Sequence, residues 1–191
     1  LGNHARVLAV AGAGKTTTMA HRIQHLVQNE SVPPERIAVL MFNRRARQQF
    51  QARLMTLLPA SQHPAVHTFH SYAYTLINQA INRRILQGKF VWWINEHEEL
   101  VRLTIKRAIQ ALEKQDLLPP DEVDTDIAGE AISLWKGSLI PPQRAGHRLN
   151  HYLPTVYAQF EQMRQENNAL TFDDFVPLAV NLLTQGNSLR D

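Results

Sequence analysis

The sequence predicts an α/β fold in which a parallel sheet with helices on both faces is followed by an all-helical insertion. Strand and helix patterns alternate through residues 1–89, and a glycine-rich turn joins the first strand to the first helix. From Phe90 onward the pattern predicts amphipathic helices and no strand. Buried strands that alternate with helices are typical of parallel sheets covered on both faces.

The first strand and the first helix enclose a glycine-rich loop. Residues 7–18 read VLAVAGAGKTTT, in which Val7–Ala11 is the predicted buried strand. Apolar residues then recur at helical spacing at Met19, Ala20, Ile23, Leu26 and Val27. A glycine-rich turn between a strand and a helix places backbone N–H groups and the helix N-terminus around a phosphate.

The residue types in this loop predict a nucleotide site that uses magnesium. Lys15 is expected to reach the β- and γ-phosphates and the Thr16 hydroxyl to ligate Mg²⁺, so these are the candidate catalytic residues. The predicted nucleotide-binding residues are Ala11, Gly12, Ala13, Gly14, Lys15, Thr16 and Thr17. The usual pattern is G-x-x-x-x-G-K-[ST], and Ala9 stands where its first glycine would be, which narrows the families that fit.

Two further strands with following helices complete the predicted α/β part. The strands are Ile37–Phe42 and Ala65–Phe69, both short and apolar. The helix after the first of them has its apolar face at Ala46, Phe50, Leu54 and Leu57. The helix after the second has its apolar face at Ala73, Leu76, Ile77, Ala80 and Ile81.

The remaining chain predicts helices separated by proline pairs. Their apolar faces are Val101, Ile105, Ala108 and Leu112; Ile127, Ala131, Leu134 and Trp135; and Leu149, Leu153, Val156, Phe160 and Met163. A last helix is predicted to start at Thr171, with Asp174 as the acid of a capping box.

The charge is unevenly distributed along the chain. Residues 1–89 carry 11 Lys/Arg against 2 Asp/Glu, whereas residues 90–191 carry 9 against 15. A basic half that contains a phosphate loop favours a polyanionic partner. The chain has no cysteine, which fits a reducing cytoplasm, and no apolar run near the ~20 residues that span a bilayer.

Three ordered segments resemble the UvrD/Rep family of superfamily 1 DNA helicases. They are the loop AVAGAGKT, the segment from Phe42 to Phe50 that reads FNRRARQQF, and Thr68-Phe69-His70-Ser71. The family has A-G-A-G-S-G-K-T, T-F-T-N-K-A-A-A-E-M and T-F-H-S or T-F-H-G in the same order. The string from Leu170 to Phe175 is similar to the L-x-D-F-D-D-L segment that leads back into the family's ATPase core.

The resemblance implies a domain plan, cofactors and partners. Residues 1–89 would be part of a RecA-like ATPase core (subdomain 1A), residues 90–168 a 1B-like helical insertion, and residues 169–191 a return helix. The cofactors would be ATP and Mg²⁺. The partners would be single-stranded DNA, its junctions with duplex and the rest of the helicase chain, in a cytoplasmic repair enzyme that does not bind membranes.

The resemblance also implies a set of DNA-binding residues. They are Phe42, Asn43, Arg44, Arg45, Thr68, Phe69, His70 and Ser71. Three alternatives stay open at this point. In the first, Phe42 is a core residue. In the second, Thr68 and His70 belong to a local turn network. In the third, Arg44, Arg45 and Arg47 only solvate a helix.

The chain lacks the Asp-Glu pair that should follow a buried strand, and the resemblance places the second motor domain beyond it. We therefore predict that the 191 residues alone do not hydrolyse ATP. Two alternatives in function remain. One is another P-loop NTPase, of the signal-recognition or ParA type. The other is a nucleic-acid-binding module with a vestigial loop.

Overall fold

The computed structural model describes Leu8, Val10 and residues 13–94, 97–146 and 150–185. The predicted first strand, Val7–Ala11, lies outside the described residues apart from two positions. The chain divides into two compact units between Tyr72 and Ala73. The predicted subdomain boundary at residues 89/90 stays a prediction.

The first unit contains a parallel pair of strands, as the alternating pattern predicts. Strand β1 is Ala38–Met41 and strand β2 is Ala65–Thr68. The register places Met41 opposite Thr68, so the carboxyl ends of the two strands coincide. Both strands lie within their predicted ranges.

Helices α1 (Lys15–Gln28) and α2 (Arg44–Leu57) pack with this pair, and α3 (Phe69–Asn82) begins directly after β2. The buried core of the unit consists of Ala20, Ile23, Val39, Phe50, Leu54, Leu58 and Val66. Apolar side chains of α1 and α2 are therefore buried together with one residue from each strand.

The second unit is built around a helical core. Its complete helices are α4 (Glu98–Lys114), α5 (Thr125–Gly137), α6 (Leu153–Glu166) and α7 (Phe175–Thr184), and residues 73–82 of α3 also belong to it. The first three supply most of the core, which includes Ala108, Trp135 and Phe160. Within the described ranges, no helix combines the length and apolarity needed to cross a bilayer.

The prediction that no strand follows Phe90 is wrong. Strands β3 (Val91–Trp93) and β4 (Ala169–Thr171) form a second parallel pair. Each has only three residues, too few to show a period-2 pattern, and its partner is far away in sequence. The two strands flank the helices α4–α6 in the chain.

The last helix begins later than predicted. A single 3-10 turn, Phe172–Asp174, follows Thr171, and α7 starts at Phe175. The predicted capping box is confirmed, because Asp174 Oδ2 accepts hydrogen bonds from the Thr171 backbone N–H and hydroxyl at 2.8 and 2.7 Å. The cap therefore stabilises a 3-10 turn rather than the first turn of an α-helix.

Candidate functional site

The described part of the glycine-rich loop ends in a glycine with a left-handed backbone conformation. Gly14 has φ 77° and ψ 15°, the left-handed conformation, and α1 begins at the next residue. A Cβ atom added to Gly14 would meet nothing within 4 Å. The glycine is therefore required by the backbone conformation and not by lack of space.

The loop side chains lie at the surface around the start of α1. Lys15 Nζ donates a hydrogen bond to the Val10 carbonyl at 2.7 Å, so its ammonium contacts the backbone at that residue. Ala13 and Thr16 are exposed and Thr17 is half-buried. The predicted binding residues Ala11 and Gly12 lie outside the described residues.

The first turn of α1 is electrostatically suited to an anion. It contains no acidic residue, and Gly14 at the N-cap position offers no side chain to cap the helix. The first N–H groups of a helix have no intrahelical partner and carry a partial positive charge. The structure thus places the Lys15 ammonium and a helix N-terminus next to each other, which is what a phosphate group requires.

The second predicted segment projects from the end of β1. Phe42 is 86% exposed, so the alternative that it is a core residue is wrong. Arg44 and Arg45 are exposed as well, while Arg47 is half-buried. An aromatic ring in solvent beside two guanidinium groups matches the surfaces that bind single-stranded nucleic acid.

Asn43 has a structural role in the same segment. Its Oδ1 accepts a hydrogen bond from the Ala46 backbone N–H at 2.8 Å and so caps α2. The first turn of α2 then contains arginine and no acid. Cations at a helix N-terminus oppose the helix dipole, at about 0.3–1 kcal/mol for each exposed charge, and an anion bound there would relieve the repulsion.

The third predicted segment forms a local hydrogen-bond network. The Thr68 backbone N–H donates to Ser71 Oγ at 2.8 Å, and the Ser71 N–H donates to Thr68 Oγ1 at 3.2 Å. The alternative of a turn network is therefore confirmed for Thr68, whose hydroxyl helps to start α3. Phe69 is 48% exposed and His70 is half-buried. DNA contacts by these residues stay a prediction.

The two predicted DNA-binding segments meet at one edge of the sheet. Phe42 follows β1 and Phe69 follows β2, and the last residues of the two strands are direct partners in the register. Ligands of parallel sheets bind outside the carboxyl ends of the strands. The structure thus brings together two segments that are 27 positions apart in the sequence.

Sequence reasoning missed one strand that leads into an acidic pair. Strand β4 is followed by Asp173 and Asp174, although no strand was expected to end in this way. Asp174 is not available to a magnesium ion, because Thr171 and the ammonium of Lys136, 2.6 Å away, occupy its oxygens. Among the described residues, no group of three His, Asp or Glu side chains is arranged to hold a metal ion.

Comparison with known proteins identifies the same family that the three segments resemble. The family described as UvrD/REP helicase N-terminal domain matches residues 1–191. A probable DNA helicase II homolog of Mycoplasma genitalium is 28% identical over 188 residues, which is 96% of this chain and 27% of that protein. The ATP-dependent DNA helicase PcrA of Bacillus subtilis is 26% identical over 181 residues, which is 92% of this chain and 24% of that protein.

A third relative, the ATP-dependent DNA helicase UvrD1 of Mycobacterium leprae, is 26% identical over 187 residues, which is 93% of this chain and 23% of that protein. The chain thus spans about a quarter of the length of the relatives that it matches. The match over the whole chain disfavours the signal-recognition and ParA alternatives.

Proposed function

This chain belongs to the UvrD/REP helicase N-terminal domain family, and on that premise we propose that it is the ATP- and single-stranded-DNA-binding part of a DNA helicase or translocase. The convergence of the Phe42 and Phe69 segments at one sheet edge is the observation that supports DNA binding most strongly. The names of the relatives support ATP-dependent DNA helicase activity for the whole protein.

The loop residues fit a magnesium-bound triphosphate. Lys15 supplies a cation at the start of α1, and the next residue, Thr16, is exposed and would offer its hydroxyl oxygen to the magnesium ion. The magnesium ion would neutralise phosphate charge, and the protein would position the phosphates with Lys15 and the N–H groups of the first helical turn. No acidic side chain in that turn would repel the nucleotide.

The nucleotide site is tested by titration with Mg·ATP. We expect the variant Lys15→Ala to bind at least several-fold more weakly, because the phosphates lose their cation. Arg22→Ala is the matched control, since Arg22 lies two turns along the same helix and pairs with Glu30 at 2.9 Å. If Lys15→Ala binds as tightly as the control, the loop is vestigial and the chain is a nucleic-acid-binding module.

The DNA site is tested by fluorescence anisotropy on a labelled single-stranded oligonucleotide. The variant Arg44→Ala/Arg45→Ala should bind more weakly and show a shallower dependence on salt, because fewer counterions are released. Arg53→Ala is the control, since Arg53 is exposed on the same helix about 12 Å further along. Equal losses in the two variants would mean that the whole basic unit attracts DNA without a defined site.

We further propose that the 191 residues do not turn over ATP on their own. Phosphoryl transfer requires carboxylates that hold magnesium and orient water, and often an arginine finger whose loss costs about 10³–10⁵-fold in rate. The strands of the described residues provide no free acidic pair. A phosphate-release assay with DNA tests this proposal, and turnover that Lys15→Ala abolishes would contradict it.

A further inference from the structure

The second unit holds a closed ring of four charged side chains. Lys136 Nζ lies 2.8 Å from Glu161 Oε1 and 2.6 Å from Asp174 Oδ1. Arg164 Nη2 lies 2.7 Å from Glu161 Oε2, and Arg164 Nε lies 3.6 Å from Asp174 Oδ2. Each cation therefore contacts both carboxylates, and we call these four residues the charge ring.

The charge ring is buried and neutral. The exposed fractions of the four side chains are 4% for Lys136, 15% for Glu161, 11% for Arg164 and 10% for Asp174. Burying a single charge costs several kcal/mol, so two cations and two anions are tolerated only because they compensate one another. Removal of any one charge would leave another without compensation.

The charge ring connects three helices at the point where the chain leaves the helical core. Lys136 lies in the last turn of α5, Glu161 and Arg164 lie on α6, and Asp174 directly precedes α7. A cation at the C-terminal end of α5 and an anion at the N-terminal end of α7 both agree with the helix dipoles. Asp174 also caps the turn that begins at Thr171, so the ring and the turn share one carboxylate.

Apolar residues of α7, namely Phe175, Ala179 and Leu182, are buried in this unit, but another side of the helix borders a cleft. A cleft of about 790 Å³ separates one side of α7 from α6 and from the turn that contains Pro141 and Pro142. Leu178 and Asn181 of α7 line this cleft, and Val180 is 38% exposed. All four members of the charge ring also line this cleft, so the start of α7 is held by buried residues such as Phe175 and, on the side of the cleft, by the charge ring.

We propose that the charge ring is a positioning lock that sets the direction in which α7 leaves the helical core, and that its four members act as one unit. A buried charge network would serve this role because each buried charge requires an oppositely charged partner in a defined position. By its resemblance to the family, α7 belongs to the segment that leads back toward the ATPase core. No member of the charge ring belongs to the proposed nucleotide or DNA site, so a test of the lock can fail while the proposed function stands.

Hydrogen exchange on the 191-residue chain tests the lock. We expect Lys136→Met and Asp174→Asn each to raise the exchange rate of the α7 amides about tenfold or more, relative to any change in α4, because each leaves an uncompensated buried charge. The double variant Lys136→Met/Asp174→Asn keeps the neutral Glu161–Arg164 pair. Its α7 exchange rate should return to within about threefold of the wild type, a non-additive result that simple loss of contacts cannot give.

Arg102→Met is the matched control, since Arg102 also pairs with a carboxylate in this unit, that of Asp126 at 2.8 Å, but both side chains are about two thirds exposed. Its α7 exchange rate should change by less than about twofold. Equal increases in α4 and α7, or a double variant no better than the single ones, would overturn the proposal. If Lys136→Met does not fold, a folded double variant supports the lock and an unfolded one overturns it.

Discussion

The two units use charged residues in opposite ways. Residues 1–72 carry 8 Lys/Arg against 2 Asp/Glu, and the arginines at the start of α2 are exposed with no acid beside them in the first turn. Residues 73–191 carry 12 against 15, and there Lys136 and Arg164 are buried against carboxylates. The first unit exposes positive charge at the start of α2, whereas the second neutralises its buried charges internally.

The same contrast holds for aromatic residues. Phe42 of the first unit is 86% exposed, while Phe160 of the second unit is 1% exposed and lies in the helical core. The Lys136 ammonium also lies 5.5 Å from the centre of the Phe160 ring. An exposed phenylalanine contributes little to folding, so truncation of Phe42 and of Phe160 should affect the molecule differently.

The largest expected effect is the loss of stability on truncating the Phe160 ring, compared with truncation of the Phe42 ring. Phe160→Ala should lower the free energy of unfolding of the second unit by about 3–5 kcal/mol, because it leaves a cavity in the core. Phe42→Ala should change the stability by less than about 0.5 kcal/mol. Urea unfolding followed by circular dichroism measures both values.

The two variants should rank in the reverse order for DNA binding, with the larger loss of affinity in Phe42→Ala. Phe42→Ala is expected to weaken oligonucleotide binding by about 1–3 kcal/mol if a base stacks on the ring. A stability loss above about 1 kcal/mol for Phe42→Ala, with no change in DNA binding, would break the comparison, because Phe42 would then serve the fold.

A smaller effect on the free energy of unfolding is expected from lowering the pH. Burial raises the pKa of Glu161, but the hydrogen bonds and charges of Arg164 and Lys136 outweigh burial and leave the pKa below its ordinary value. Glu161 therefore stabilises the folded state above the ordinary pKa of Glu, about 4.3, and this contribution is lost as the pH falls through the lowered pKa. The loss should be smaller than the ~3–5 kcal/mol of a broken buried pair, because a protonated Glu161 can still form hydrogen bonds.

The exposed pair Arg102–Asp126 is the control for this titration. A hydrogen bond and the charge of Arg102 lower the pKa of Asp126, but both side chains lie in solvent. Unfolding at a series of pH values should show a weaker acid dependence in Glu161→Gln and nearly the wild-type dependence in Asp126→Asn. At about 1 M salt any difference due to Asp126 should vanish, whereas that due to Glu161 should remain.

Local patterns predicted most of the elements, and long-range contacts account for what they missed. The apolar spacing of Phe50 and Leu54 predicted α2, and both side chains are fully buried. Strand β3 was missed because three residues show no periodicity and its partner, β4, is distant in the sequence.

The candidate sites divide in the same way. The loop around Lys15 is a local motif, so the sequence predicted the chemistry of its residues. The charge ring joins residues of α5, of α6 and of the turn before α7, and the pairs that Lys136 forms link residues at least 25 positions apart in the sequence. Lys136 alone looks like an ordinary cation at a helix C-terminus, and Asp174 like an ordinary cap. The sequence does contain one weak signal, since Glu161 and Arg164 are three positions apart on one helix.

The smallest effect concerns Asn43, for which capping and DNA binding are separable. Asn43→Ala should cost about 1 kcal/mol of stability, because the Ala46 N–H loses its cap. Asn43→Asp should keep the cap and agree with the helix dipole, but it adds a carboxylate beside Arg44 and Arg45. We therefore expect Asn43→Asp to fold as stably as the wild type and to bind the oligonucleotide more weakly. In the second unit, Asp124 caps α5 with a 2.8 Å bond from the Asp126 N–H, so Asp124→Ala should lower stability without affecting DNA binding. Unchanged DNA binding by Asn43→Asp would place the start of α2 away from the nucleic acid.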